Sequence, residues 1–365
     1  MRKIIKISLF AVLSLVLIFG LIVLRLFLVR SFDLNAQEKH LAELRAYYDS
    51  SDYQKIDENQ FVNFDLDDSS IHLNDIQMIA SHNSYKKKGP AIGRFFVGLG
   101  DSFEEAKALK YGYKNITEQL ELGIRSFELD IRYRNEKFEL THVPLVDPSS
   151  QAIDFEMLLE EIYLFSSHQD HHIPIIFLLE IKNDWMVLDP LLEDMDQDTF
   201  IAFDNLIKTQ LKDHLFTPSD MILEGESLKD VITNQGWPSL TELLNKVIFI
   251  MHPDSYNQMY YDNDQTLQTQ SMFIGSYYSE NPEDYASFFV HNDVNQSTIE
   301  TLVDQNYIVR TRIDEQLVFN ESRYLDAISS GAQILSTDFS VGRSDLDALN
   351  YVYLNENKMI IKKDS

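Results

Sequence analysis

The chain has 365 residues, with 58 acidic against 31 basic side chains, a net charge of −27, and no cysteine. A body this acidic repels the phosphates of nucleic acid, which argues against a polynucleotide partner. The missing thiol excludes disulfides, thiolate catalysis and lipidation on cysteine, and the length suits one large domain with an appendage.

The first 30 residues carry five cations (Arg2, Lys3, Lys6, Arg25 and Arg30) and no acid, so the remainder is more acidic still. Residues 7–24 hold no charge and are just long enough to cross a bilayer. The flank Arg25-Leu26-Phe27-Leu28-Val29-Arg30 lacks the small-residue site of a cleaved leader. Residues 1–30 are therefore expected to be an uncleaved anchor, with a cleaved signal and secretion as the alternative. The cations at the start favour a cytoplasmic N-terminus and an exported body. Residues 31–70 read as a spacer, with helical spacing over 36–48.

From residue 71, short apolar runs alternate with amphipathic segments. Candidate strands fall at 76–80, 124–130, 138–142, 175–181, 247–251, 287–291, 308–313 and 332–338, and a run at 272–278 competes with 287–291. Helical patterns lie at 154–165, 200–211, 239–244, 297–304 and 321–330, the last followed by Gly331, a suitable helix stop. This alternation predicts an α/β fold, a (β/α)8 TIM-type barrel over residues 71–350, with 351–365 as a C-terminal tail.

The notable polar residues fall late in these strands or just after them. In Ile124-Arg125-Ser126-Phe127-Glu128-Leu129-Asp130-Ile131 the two carboxylates share one face of an otherwise apolar strand. Such a pair repels unless a cation sits between its members. His82 and Asn83 follow the first candidate strand, His142 ends the third, and Glu180 and Lys182 end the fourth. Arg310, Arg312 and Asp338 lie at comparable depth in the last two. A barrel of this kind gathers them at its C-terminal mouth. Two imidazoles, an amide and several carboxylates are the parts that phosphodiester cleavage without a protein nucleophile requires. Ser166-Ser167-His168-Gln169-Asp170-His171-His172 reads as a polar loop rather than a metal cluster. Lys86-Lys87-Lys88 is either a solvated loop or a contact for anionic headgroups.

Ser81-His82-Asn83-Ser84-Tyr85, Leu122-Gly123-Ile124-Arg125 with Glu128-Leu129-Asp130, and His142-Val143-Pro144-Leu145-Val146-Asp147 resemble motifs of the bacterial calcium-dependent phosphoinositide-specific phospholipases C. That family is related to the X region of eukaryotic phospholipases C. The resemblance continues through Leu179-Glu180-Ile181-Lys182, Val309-Arg310-Thr311-Arg312-Ile313-Asp314, and Ser330-Gly331-Ala332-Gln333 before Ser336-Thr337-Asp338, and so spans about residues 75–345. It implies that His82 and His142 are catalytic and that Asn83, Glu128, Asp130 and Glu180 hold Ca2+. It further implies attack by the inositol 2-hydroxyl on the phosphodiester of a phospholipid at a membrane surface, releasing diacylglycerol. Either Glu180 or Glu128 would be the base, and Asp147 is a candidate to orient His142. Lys182, Arg310 and Arg312 would contact phosphate or inositol, or else close ion pairs across the barrel. Two alternatives stand beside this reading: a glycerophosphodiester phosphodiesterase, which would place Arg-Gly after the first histidine where this chain has Asn83-Ser84, and a non-catalytic, membrane-anchored lipid-binding module.

Overall fold

The computed structural model describes residues 2–89, 91–100 and 102–363. Among the described residues eight parallel strands form the closed ring: β1 (Ile76–Ser81), β2 (Ser126–Arg134), β3 (Ile175–Ile181), β4 (Val247–Met251), β5 (Met272–Ser276), β6 (Phe288–Val290), β7 (Ile308–Arg312) and β8 (Ile334–Thr337). β1 pairs with both β8 and β2, so the sheet closes into a TIM-type barrel. The strands are nearly continuous runs of Ile, Leu, Val and Phe because a parallel sheet under a coat of helices is buried on both faces. Phe127, Phe177 and Phe249 stand in register on β2, β3 and β4, and successive rings stack at 5.2 Å.

Five helices matter for the site: α1 (Arg2–Tyr48), α2 (Ala91–Gly100), α3 (Phe103–Ala108), α4 (Ile116–Glu121) and α5 (Phe155–His168). α5 begins where the Asp154 carboxylate accepts from the backbone N–H of Met157, and its Phe155 meets Phe249 on the barrel. The other expected helices form as Gln197–Leu211, Leu240–Leu243, Gln296–Val303 and Glu321–Ser329. The last gives way to Gly331 at φ +76°, a left-handed conformation that glycine adopts without steric cost.

Three expectations need correction. The run at 138–142 is not a barrel strand: Lys137–Leu140 turns back antiparallel on β2, pairing Leu140 with Ile131 and Phe138 with Tyr133. Asn135 and Glu136 both have positive φ, the mark of a tight hairpin, and so short a link cannot make the crossover that parallel pairing needs. The third barrel strand is therefore β3, and the runs at 272–278 and 287–291 do not compete, because both supply barrel strands.

Residues 31–48 do not behave as a spacer, since they continue α1 without a break. Leu26, Asp33, Gln37, Leu41, Leu44 and Tyr48 are buried along its inner side. The segment read as a tail contains a further strand, Ile360–Lys362, which pairs antiparallel with β1.

Candidate active site

The loop after β1 is latched to β2 by its serines. Ser84 N donates to Glu128 O at 3.0 Å, and Glu128 N donates to Ser84 Oγ at 3.1 Å. Ser81 Oγ lies 2.6 Å from Ser84 Oγ, and the Gln119 amide of α4 donates to Ser84 O at 2.8 Å. The serines thus hold the loop, and the residues between them, His82 and Asn83, are presented beside Glu128. Asn83 adopts φ +51°, a left-handed turn that asparagine tolerates, and its amide N–H donates to the Tyr111 hydroxyl at 3.0 Å.

His82 Nδ1 lies 2.7 Å from Asp338 Oδ1. A carboxylate can only accept, so Nδ1 carries the proton and Nε2 is left for chemistry, 3.7 Å from Glu128 Oε1. Asp338 is itself fixed. Arg312 donates to its Oδ2 at 3.2 Å, and its backbone N–H donates to Asp314 Oδ1 at 2.9 Å. Burial opposes ionisation of Asp338, but the charges of His82 and Arg312 outweigh it and hold the carboxyl well below the usual range. Its neighbour Asp314, buried and facing Asp338, is pushed up to about 6.

Glu128 is buried and paired with Arg310, which also donates to Ser336 Oγ at 3.0 Å. Burial raises its pKa, yet Arg310 and His82 more than offset this and bring it down to about 2. Asp130, two residues along β2, stands beside Glu180 in the register with β3. It is 1% exposed, and among the described residues neither of its carboxylate oxygens receives a well-aligned hydrogen bond. Burial raises its pKa, Lys182 opposes the rise, and Glu180 adds to it. The Tyr85 hydroxyl, pushed well up by burial and by Asp130, approaches that carboxylate without a well-aligned hydrogen bond. Glu180 is met by Lys182 at 2.5 Å.

His142 arrives by a different route from the one expected. It follows the hairpin rather than a barrel strand, and Arg132 on β2 sets its position. That guanidinium donates to Thr141 O at 3.0 Å, His142 O at 2.8 Å and Asp184 O at 2.7 Å, tying the His142 loop to the loop after β3. Asp147 N donates to Val143 O at 3.0 Å, and this turn brings Asp147 Oδ2 within 3.3 Å of His142 Nδ1. The contact is an ion-pair approach rather than an aligned hydrogen bond. Asp147 is wholly buried and also receives Lys86 Nζ at 3.0 Å; burial opposes its ionisation, but His142 and Lys86 lower its pKa.

The mouth therefore gathers His82, Asn83, Glu128, Asp130, Glu180, Lys182, Arg310, Arg312 and Asp338, with His142 and Asp147 at its edge. Lys182, Arg310 and Arg312 are all engaged with carboxylates. Neither reading of the lysine run holds for Lys86, which is buried, or for Lys87, which pairs with Asp33 of α1 at 2.8 Å; only Lys88 is exposed. His172 is buried between Ile173 O and Ser166 Oγ, and His168 stacks on Tyr48, so this histidine run serves packing.

Sequence reasoning missed His252. It directly follows β4 and faces the charges of Glu180 and Glu128, while burial lowers its pKa. The same late-in-strand position that marked the other residues would have found it. Among the described residues no three histidine or acidic side chains converge as an ion site, since Glu128 is drawn to Arg310 and Glu180 to Lys182. The donor set nevertheless fits a hard cation. Asp130 is a buried carboxylate with no well-aligned donor among the described residues, flanked on its own strand and the next by two more carboxylates.

A family model described as phosphoinositide phospholipase C, Ca2+-dependent, matches residues 71–137 and 132–363. No curated protein sequence matches the chain. A calcium-dependent phosphoinositol-specific phospholipase C from Pseudomonas sp. superposes with a TM-score of 0.56 at 16% identity, covering 81% of this chain and 97% of that one. A second structure described with the same Pseudomonas name, a myoinositol complex, gives 0.55 at 16% identity with the same coverage. The Ca2+-dependent phosphatidylinositol-specific enzyme of Streptomyces antibioticus gives 0.56 at 14% identity, covering 73% and 95%. At such identities the superpositions show the shared barrel, whereas the family match runs through nearly every motif at the mouth. The chain belongs to the Ca2+-dependent phosphoinositide phospholipase C family and is an enzyme of phosphodiester cleavage.

Proposed function

We propose that the protein cleaves phosphatidylinositol-type lipids to diacylglycerol and a cyclic inositol phosphate, with calcium at Asn83, Glu128, Asp130 and Glu180. The observation that carries the proposal is the Asp130 carboxylate, buried beside Glu180, with no well-aligned hydrogen bond to either oxygen among the described residues and within the electrostatic reach of His142. A calcium ion bound there would lower the pKa of the inositol 2-hydroxyl and neutralise charge growing on the phosphoryl group.

The chain's own residues account for the proton movements. The 2-hydroxyl gives its proton to a carboxylate as its oxygen bonds to phosphorus. Glu180 suits that task better than Glu128, because a carboxylate held at about 2 by Arg310 is a weak base. His142 protonates the glycerol oxygen as the phosphorus–oxygen bond breaks, and Asp147 stabilises the imidazolium that gives up this proton. His82, as an imidazolium whose Nδ1–H is committed to Asp338, donates Nε2–H to a non-bridging phosphoryl oxygen. Arg310, Arg312 and Lys182 supply positive charge for phosphate or inositol once substrate competes for them. Water opens the cyclic product in a second turnover at the same groups.

The N-terminal helix supports anchoring over secretion. Residues 26–48 are packed against the barrel by the Arg30–Glu139 pair, by two hydrogen bonds between the Gln37 amide and the Asp154 backbone, and by Arg45 on Glu160. A leader destined for removal has no need of such a seat.

The deciding experiment measures headgroup release from phosphatidylinositol, its phosphates, glycosylated inositol lipids and glycerophosphodiesters, with and without chelator. Phosphatidylinositol should be cleaved, chelator should abolish cleavage, and calcium should restore it better than magnesium, which dehydrates reluctantly and demands a stricter octahedron. Full activity in excess chelator would sink the calcium assignment, and selective turnover of glycerophosphodiesters would sink the lipid assignment.

A further inference from the structure

α1 does not tether the barrel loosely. Its uncharged segment, residues 7–24, is solvent-exposed almost throughout, with a mean hydropathy of 3.0 over an 18-residue window. At about 1.5 Å per residue this segment is about 27 Å long, at the short end of what crosses a hydrocarbon layer of about 30 Å. The next residue, Arg25, donates to the carbonyl of Leu145 at 3.3 Å, inside the turn that carries His142 to Asp147. Leu26 is buried in a crevice with Arg132, Thr141 and Pro144. The helix then runs beside α5 from the mouth to the far end, where Tyr48 stacks on His168. The apolar segment therefore leaves the barrel at the mouth, without slack.

A second feature lies at the same rim. A cleft of about 360 Å³ beside His142 and Lys182 is walled by Phe96 and Val97 of α2 and by Trp185 and Leu188 after β3. Around it Phe95, Leu99 and Phe103 stand exposed, Trp185 is 51% exposed and Val187 is 90% exposed. Isolated exposed apolar residues are ordinary, but an aromatic and aliphatic collar bordering the same turn at which a bilayer-length helix leaves the barrel marks a surface that meets lipid.

Resting on the phospholipase reading above, we infer that the enzyme works in cis: the rigid junction at Arg25 presses the mouth and its collar onto the leaflet that α1 enters. Its substrate is then lipid of the bilayer in which it is itself anchored, and lipid in an apposed membrane is out of reach. A flexible tether would allow both.

The test uses the full-length protein reconstituted in phosphatidylcholine vesicles. Labelled phosphatidylinositol is placed either in the same vesicles or in protein-free vesicles mixed with them, and detergent micelles holding enzyme and substrate together report intrinsic turnover. A second protein carries a Gly/Ser linker inserted between Leu24 and Arg25, which leaves the docked half of α1 and every mouth residue unchanged. The original protein should favour same-vesicle substrate by at least about tenfold, the scale on which effective concentration acts. The linker-bearing protein should gain cleavage of the separate vesicles while matching the original in micelles. Equal cleavage of same and separate vesicles by the original protein, or no gain from the linker, overturns the inference while micellar turnover stands. Inactivity in micelles as well overturns the phospholipase reading itself.

Discussion

The two histidines proposed for catalysis differ in how firmly each is held. His82 is locked by a 2.7 Å bond to Asp338, whereas His142 rests on a 3.3 Å approach to Asp147 that Lys86 shares. The assignment of His142 as acid to the leaving alkoxide predicts that His142→Ala is substantially rescued on an analogue with an activated phenolic leaving group. His82→Ala should be slowed alike on both substrates. Positioned acid catalysis is typically worth about 10²–10⁴-fold, so comparing turnover of the two variants resolves the difference; rescue of His82→Ala instead reverses the roles. A residue remote from the mouth gives a stability prediction. Burial depresses His172 to about 3, and the neutral ring is bonded to Ile173 O and Ser166 Oγ. Because the folded pKa lies below the unfolded value, its contribution is complete above about pH 6.5 and is lost progressively as pH falls toward 3. His172→Gln should therefore flatten the acid-side decline of thermal stability, which unfolding scans across that range would measure. An unchanged slope would show that other groups carry it.

At the scale of elements, the mouth is assembled from loops braced by neighbours rather than from strand ends alone. Arg132 clamps the His142 loop to the loop after β3, and α2 lies against the turn from Val143 to Asp147. A Cβ on Gly93 of α2 would sit 1.8 Å from the carbonyl oxygen of Val146, so that close approach requires glycine. Gly93→Ala should push α2 off the turn and disturb His142 without touching the barrel core. We expect turnover to fall about tenfold or more, as misplacement of a catalytic group does, with the melting temperature little changed. A large loss of stability with normal turnover in the remaining folded protein would contradict this.

For the whole molecule, the docked half of α1 and the barrel form one mechanical unit. Asp33, Gln37, Arg45 and Tyr48 of α1 each meet residues of the barrel or its helices. Mass measurement of the mature protein should therefore find the intact N-terminus. A chain beginning between about residues 25 and 40, the usual range for removal of a leader, would strip part of this docking helix and refute the anchor.

Much of the barrel was legible in the sequence because its signals are local. Continuous apolar runs mark buried parallel strands, Gly331 marks a helix end, and carboxylates or histidines late in those runs mark the mouth whatever surrounds them. The same locality explains the failures. Residues 138–142 have the composition of a barrel strand, and only their pairing with β2 makes them a hairpin. Lys86 looks like one of three solvated lysines until Asp147 buries it. The role of Asp338 depends on His82, far away in the chain. Residues 31–48 read as a spacer because their amphipathic spacing cannot name the surface that covers it. The sequence by itself determined that the chain would close into a barrel and that its late-strand polar residues would share one end of it. Only the tertiary structure decided their partners, their charge balance and where the apolar helix meets the mouth, because such contacts as His82 with Asp338 and Arg310 with Glu128 join distant parts of the chain and leave no periodic trace.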